Sequence, residues 1–294
     1  MNPAWPPALI AWEAGGRYRM LLSQRIFTRE AGQGPVLVLL HGFPTASFDW
    51  SALWPALIAR FHVLSLDFLG FGLSAKPPRH DYTIAGQADL VEALLADAGV
   101  REYALLAHDF GDTVAQELLA RQREGSSRQK LRAACLLNGG LFPETHRPVL
   151  AQKALASPIG PLVARMMGRR RFVANMQAIC LDHLRADDLE AMWQLLEHQQ
   201  GRRVIPRIIR YMAERRRYRE RWAGALIQAP VPLRLVIGMQ DPIAGGHMLA
   251  RYRELVPGAD TVALDGIGHY PQIEAPEHIL AAVLPLLERP RQSA

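Results

Sequence analysis

Leu105-Leu106-Ala107-His108-Asp109-Phe110-Gly111-Asp112-Thr113 decides how this chain is read. An apolar run suited to a buried strand enters a small-x-Asp-x-small turn and passes directly into a helical pattern. The layout is that of a nucleophile elbow, with aspartate where such turns more often carry serine. A carboxylate is already ionised at neutral pH and needs no base to attack a carbon centre, so the pattern predicts hydrolysis through a covalent aspartyl ester. Taken alone, Asp109 also fits a helix N-cap, a position that aspartate favours.

Working outward, Pro35-Val36-Leu37-Val38-Leu39-Leu40 and Val63-Leu64-Ser65-Leu66 are short apolar runs that end at His41-Gly42 and Asp67, as strands buried on both faces do. Tyr18 to Phe27 reads as an extended pair or bent strand. Helix-period spacing over Ala85 to Ala98, a strand at Tyr103 to Ala107, a helix from Asp112 to Arg121 and a strand at Ala133 to Leu137 continue the alternation. After Asn138-Gly139-Gly140 the pattern becomes helical without a convincing buried strand as far as Trp222. Strands resume at Leu233 to Gly238 and Thr261 to Leu264, with helices at Met248 to Leu255 and Pro276 to Leu284. This order predicts an α/β fold with a doubly wound, mostly parallel sheet. Residues 1–140 and 224–294 would form the core. Residues 141–223 would form an inserted helical lid over the C-terminal sheet edge, where open α/β sheets bind ligands.

The 294 residues are 49% hydrophobic, enough for one full core with an insertion. Cys135 and Cys180 match no disulfide framework or metal-binding spacing and read as buried apolar residues. The start, Met1-Asn2-Pro3-Ala4-Trp5-Pro6-Pro7, lacks the basic and apolar character of a signal peptide, and no apolar run reaches membrane-spanning length. A soluble cytoplasmic protein without stable membrane insertion is expected. Of the net charge of +6, residues 141–223 contribute +8, from 16 Lys and Arg against 8 Asp and Glu. Arg169-Arg170-Arg171 and Arg215-Arg216-Arg217 therefore read as solvated helix faces, the alternative being attraction of an anionic substrate towards a site beneath. Recognition motifs for nucleic acid are missing. So are a metal-ligand cluster, a dinucleotide fingerprint and a phosphate loop, so neither cofactor nor metal is expected. Gly70, Gly72 and Gly111 read as tight backbone positions.

In the order nucleophile, acid, histidine that this architecture imposes, the candidates are Asp109, Asp241 and His269. Asp241 begins a loop after a buried strand, and His269 lies in Gly266-Ile267-Gly268-His269-Tyr270-Pro271 just past the last one. Glu144 is the reserve acid. His269 would draw a proton from water that attacks the ester, and Asp241 would hold the imidazole. The N–H groups of Phe43 and Phe110 are the candidate oxyanion donors. Asp112 reads as a negative side chain suited to the first-turn dipole of its helix. His41 and His108 read as structural support.

These residues resemble the α/β-hydrolase superfamily, and within it the epoxide hydrolases and haloalkane dehalogenases, which use an aspartate nucleophile in a His-Asp-x-Gly setting. His41-Gly42-Phe43-Pro44-Thr45, Asp67-Phe68-Leu69-Gly70-Phe71-Gly72, Asn138-Gly139-Gly140, Phe142-Pro143-Glu144-Thr145-His146-Arg147-Pro148 and Arg219-Glu220-Arg221-Trp222-Ala223-Gly224-Ala225-Leu226 look like the mesoderm-specific transcript branch. The likeness spans most of residues 35–275 and implies a hydrolase acting on a small molecule. Haloalkane dehalogenases usually place Trp after the nucleophile to hold the departing halide. Phe110 has no such donor, which argues against dehalogenation. Epoxide hydrolases polarise the leaving oxygen with lid tyrosines, which makes Tyr211 and Tyr218 the candidates here, Tyr211 preferred for its less charged surroundings. An epoxide-hydrolase type is thus expected. The alternatives are a haloalkane dehalogenase or ester hydrolase on the same triad, or a non-catalytic ligand- or partner-binding protein of this fold. Oligomeric state is left open.

Overall fold

The computed structural model describes residues 5–181 and 183–289. The signal-free start read at Met1 to Ala4, Asp182 of the expected lid and the 290–294 end of the expected core lie outside the described residues.

Eight strands form one sheet in the order β1-β2-β4-β3-β5-β6-β7-β8: β1 (Gly16–Leu21), β2 (Gln24–Ala31), β3 (Val36–Leu40), β4 (His62–Leu66), β5 (Glu102–His108), β6 (Lys130–Leu137), β7 (Leu233–Gly238) and β8 (Thr261–Leu264). The hairpin of β1 and β2 is antiparallel and adds antiparallel to β4, and the other pairings are parallel. Side chains alternate across the sheet, as a period of two requires. Val38, Leu40, Leu105 and Ala107 enter one buried core, and Leu37, Leu39, Ala104 and Leu106 enter the other.

The helices before and beside these strands are α1 (Pro7–Ala14), α2 (Trp54–Ile58), α3 (Ile84–Asp97) and α4 (Phe110–Glu124). Helix α4 begins directly at Phe110, ahead of the expected Asp112, and ends at Gly125 in the left-handed conformation at φ 70°. Helix α1, which had no counterpart in the sequence reading, buries Leu9 and Trp12 under the second core.

Between β6 and β7 run α5 (Leu150–Leu155), α6 (Gly160–Met166), α7 (Arg169–Ile179), α8 (Ala186–Glu197), α9 (Ile205–Ile208), α10 (Tyr211–Arg217) and α11 (Arg219–Ile227). Helix α11 is continuous across residue 223. It is tied to α4 through buried Glu117, which accepts from Arg221 Nε at 2.9 Å and Trp222 Nε1 at 2.8 Å. The chain closes with α12 (Gly246–Leu255), α13 (Pro271–Glu274) and α14 (Pro276–Leu287). Among the described residues, no helix is long and apolar enough to cross a membrane.

Strand register decides which loops meet. Leu40 pairs with Ala107 and His108 with Leu137, so the loops after β3, β5 and β6 leave the sheet side by side. Val236 pairs with Leu137, which brings the loop after β7 to the same edge.

Candidate active site

Asp109 forms the joint between β5 and α4 at φ 45° and ψ −99°. That conformation is strained for a residue with a side chain and persists where the surroundings hold it. Asp109 N–H donates to the Leu137 carbonyl at 3.1 Å, and Gly111 N–H donates to the His41 carbonyl at 3.0 Å. Glycine is required at 111 because a Cβ there would stand 2.3 Å from the Leu40 carbonyl oxygen. Asp109 occupies the N-cap position of α4, but its carboxylate makes no capping bond to the helix. Oδ2 instead accepts the Phe43 N–H at 3.1 Å, while Oδ1 is buried with no hydrogen-bond partner.

His269 Nδ1 lies 2.7 Å from Asp241 Oδ2. The same oxygen accepts Asn138 Nδ2 at 2.8 Å, and Asp241 Oδ1 accepts the Ile243 N–H at 2.7 Å. Asn138 also accepts the Gly238 N–H through Oδ1 at 2.9 Å, which locks β6 to β7 beneath the acid. Burial pushes the His269 imidazolium towards losing its proton, but Asp241, Asp109 and Glu274 outweigh it and raise the group to about 9. Burial likewise raises Asp109, and the positive charges of His269 and Arg215 reverse this to hold it below the ordinary carboxylate range. Asp241 is also held low, against its burial, chiefly by His269. At neutral pH the site is thus two carboxylates around an imidazolium.

Phe43 presents its N–H to Asp109, and the Tyr270 hydroxyl fixes that loop by donating to the Phe43 carbonyl at 3.1 Å. Phe110 is the first residue of α4, where an N–H has no intrahelical acceptor. His108 Nε2 donates to the His269 carbonyl at 2.7 Å, and burial followed by the His269 charge lowers its pKa to about 3. His41 accepts the Phe68 N–H through Nε2 at 3.0 Å and donates from Nδ1 to the Gly42 carbonyl at 2.8 Å. Both are neutral supports of the loops around Asp109.

Tyr211 is completely buried and its ring packs against Phe110 and Phe43, with centroids at 5.0 and 5.9 Å. Tyr218 is 37% exposed and stacks on Trp222, away from this cluster. Glu144 is not the carboxylate bonded to His269, which is Asp241. The Glu144 side chain lies in an exposed ion cluster with Arg219 and Arg251, and the Arg219 hydrogen bond foremost lowers it to about 2.

Two further residues depart from the sequence expectation. Asp112 is fully buried, and burial together with the Asp109 charge pushes its carboxyl well above the usual range. Its carboxyl is wedged against Gly139, in the first turn of α4. Arg215 is no part of a solvated face: its side chain is 3% exposed, with Nε donating to Thr113 Oγ1 at 2.8 Å and Nη2 to the Asp109 carbonyl at 3.1 Å. Nη2 also stands 3.6 Å from Asp109 Oδ1. Arg216 and Arg217 are exposed as expected. Spacing held the signal, because Tyr211 and Arg215 are one helical turn apart and share the inward face. Asn138 stands out in the sequence as the end of a strand and within the Asn138-Gly139-Gly140 motif, neither of which shows its bond to Asp241.

A cleft of about 510 Å³ reaches His269 and Phe43, walled by Val149, Leu155, Phe172 and Met176 of the segment between β6 and β7. A larger hollow of about 760 Å³ lies at the opposite strand ends, around Val36, His62 and Arg101. It is remote from Asp109.

The model of the alpha/beta hydrolase fold family matches residues 35–276, and the chain belongs to that family. It is 40% identical to the mesoderm-specific transcript protein of Mus musculus over 96% of this chain and 88% of that one. It is 41% identical to the putative hydrolase LipZ of Mycobacterium tuberculosis over 96% and 98% respectively. Solved haloalkane dehalogenases and an epoxide hydrolase share the fold. The dehalogenase DatA of Agrobacterium tumefaciens superposes with a TM-score of 0.80 at 22% identity, covering 93% of this chain and 96% of that one. The protein is a hydrolase of this family.

Proposed function

We propose that the protein hydrolyses a small electrophile through an ester on Asp109, and that the electrophile is an epoxide. One observation carries the reading. The buried Asp109 carboxylate is held by the Phe43 N–H through one oxygen and leaves the other without a hydrogen bond, 3.6 Å from Arg215 Nη2, in the same cluster as a His269 paired to Asp241. Asp109 Oδ1 forms a bond to an epoxide carbon as the C–O bond breaks, and the Tyr211 phenol gives its proton to the departing oxygen. The ester carbonyl then lies against the N–H groups of Phe43 and Phe110, each worth about 2.7–4 kcal/mol in the following transition state.

Ester formation removes the Asp109 charge that helps to hold His269 protonated. The imidazole gives its proton to solvent, becomes the base for the second step, and regains a proton from solvent once the Asp109 carboxylate is restored. It takes a proton from water, and the oxygen left behind attacks the ester carbonyl. Collapse expels the alcohol, which takes that proton back from His269, and the Asp109 carboxyl returns its own to Tyr211. The segment over residues 141–223 serves as the lid that walls the cleft. Phe110 offers no side-chain donor for a halide, which favours an epoxide over a haloalkane.

The test is a single turnover in heavy-oxygen water with enzyme in excess. The label is expected in the Asp109 carboxyl and absent from the first diol released. Label in the first diol would refute the ester.

A further inference from the structure

Arg215, Tyr211 and His146 bring unpartnered polar atoms together beside the nucleophile. Arg215 Nη1, the Tyr211 hydroxyl and both ring nitrogens of His146 are buried without a hydrogen-bond partner. Arg215 Nη1 and His146 Nδ1 both lie against Gly140, where a Cβ would stand 2.3 Å from the first and 2.7 Å from the second. Glycine at 140 is what lets both reach that place. The Arg215 guanidinium also lies over the Tyr211 ring, 4.6 Å from its centroid. A buried polar group left unpaired costs about 1–3 kcal/mol, so several at one place call for a polar occupant.

Charge identifies that occupant. Before reaction, Asp109 and Asp241 balance Arg215 and His269 in this buried cluster. Ester formation on Asp109, on which this argument rests for its catalytic consequence, removes the carboxylate that stands 3.6 Å from Arg215 Nη2 and leaves the guanidinium free to hold another. A guanidinium is always ionised, cannot serve as a proton donor at pH 7, and matches the geometry of a carboxylate. Burial and the Arg215 charge keep His146 neutral, with one N–H to offer a second carboxylate oxygen. A neutral epoxide needs only the Tyr211 phenol and would leave Nη1 and His146 unpaired. The approach agrees, because residues 145–181 carry six Lys and Arg and no Asp or Glu, a field that draws in anions.

We propose that Arg215 and His146 form a carboxylate subsite beside Asp109 and Tyr211, and that the substrate is an electrophile bearing a carboxylate close to the carbon attacked. Arg215 is then the residue that selects substrate.

The binding experiment is independent of turnover. Calorimetric titration of the wild-type protein with phenylacetate and with phenylacetamide is expected to show at least a tenfold preference for the acid. Arg215→Met should reduce the preference below twofold. Arg215→Lys, which keeps the charge and serves if the methionine variant does not fold, should retain only part of it. Equal affinity for acid and amide, or a preference unchanged in both variants, would overturn the subsite. In a second arm, His269→Gln protein is offered 3-phenylglycidate or its amide, and the adduct on Asp109 is timed. The acid is expected to react at least tenfold faster. Adducts formed equally fast from both would refute the subsite while upholding the ester. Should neither react, the ester reading fails and the titration still decides the subsite.

Discussion

Replacing Asp241 with Asn tests the electrostatic design of the site. Asp241 Oδ2 faces both His269 Nδ1 and Asn138 Nδ2, while Oδ1 accepts the Ile243 N–H. An asparagine that keeps its oxygen towards His269 and Asn138 must turn its own NH₂ to the Ile243 N–H, so one buried bond is lost as well as the charge. The folded protein raises His269 from 6.5 to about 9, with Asp241 the strongest of the groups that raise it. At 1.36 kcal/mol per unit of pKa, that preference for the imidazolium is worth about 3 kcal/mol. Because the folded value lies above the unfolded one, the stabilisation is fully present below pH 6.5 and is lost as pH rises through about 9. Without Asp241, burial dominates and His269 should titrate at or below 6.5. The assay is a pH titration of the His269 ring by NMR in wild-type and variant protein, paired with urea unfolding at pH 6 and pH 10. Wild type should lose roughly 3 kcal/mol more than the variant between those conditions. A His269 that titrates near 6.5 in the wild type, or near 9 in the variant, would refute the reasoning.

Three other outcomes are expected from the same geometry. Tyr211→Phe should slow epoxide opening at least tenfold, whereas exposed Tyr218→Phe should stay within twofold, as single-turnover rates would show; equal effects would remove Tyr211 from its role. Asp112→Asn, replacing a carboxyl that burial pushes towards its neutral form by an amide of the same shape, should keep activity within threefold and change urea-measured stability by less than ~1.5 kcal/mol; a larger loss of stability would show that the charged form matters there. Glu144→Ala breaks an exposed ion cluster and should cost under ~1 kcal/mol of stability with kcat unchanged; a hundredfold loss of kcat would restore Glu144 as the acid.

The fold was legible where burial leaves a one-dimensional trace. Strands β3 and β5 are covered on both faces and so read as unbroken apolar runs, and each ends at a residue that builds the site: Gly42 for β3, Asp109 for β5. Asp241 was legible because it follows the buried strand β7, and His269 because it lies in a glycine-flanked loop after the short edge strand β8. Arg215 was not, since it stands in a run of three arginines whose other members are solvated, and net charge cannot say which of them turns inward. Asp112 was placed on its helix correctly, but its protonation depends on Gly139 and Asp109 packing around it. Asn138 and His146 matter through contacts made across the sheet edge and the lid, which no local pattern records.

The central claim is the ester on Asp109, and intact-protein mass spectrometry of His269→Gln tests it most directly. Removing the base that activates water should let the first step proceed and stop the second. After exposure to a panel of epoxides, with and without a carboxylate, the variant should gain the mass of one substrate, mapped by peptide analysis to Asp109. A folded variant that gains no mass across the panel, or gains it at another residue, would contradict the account.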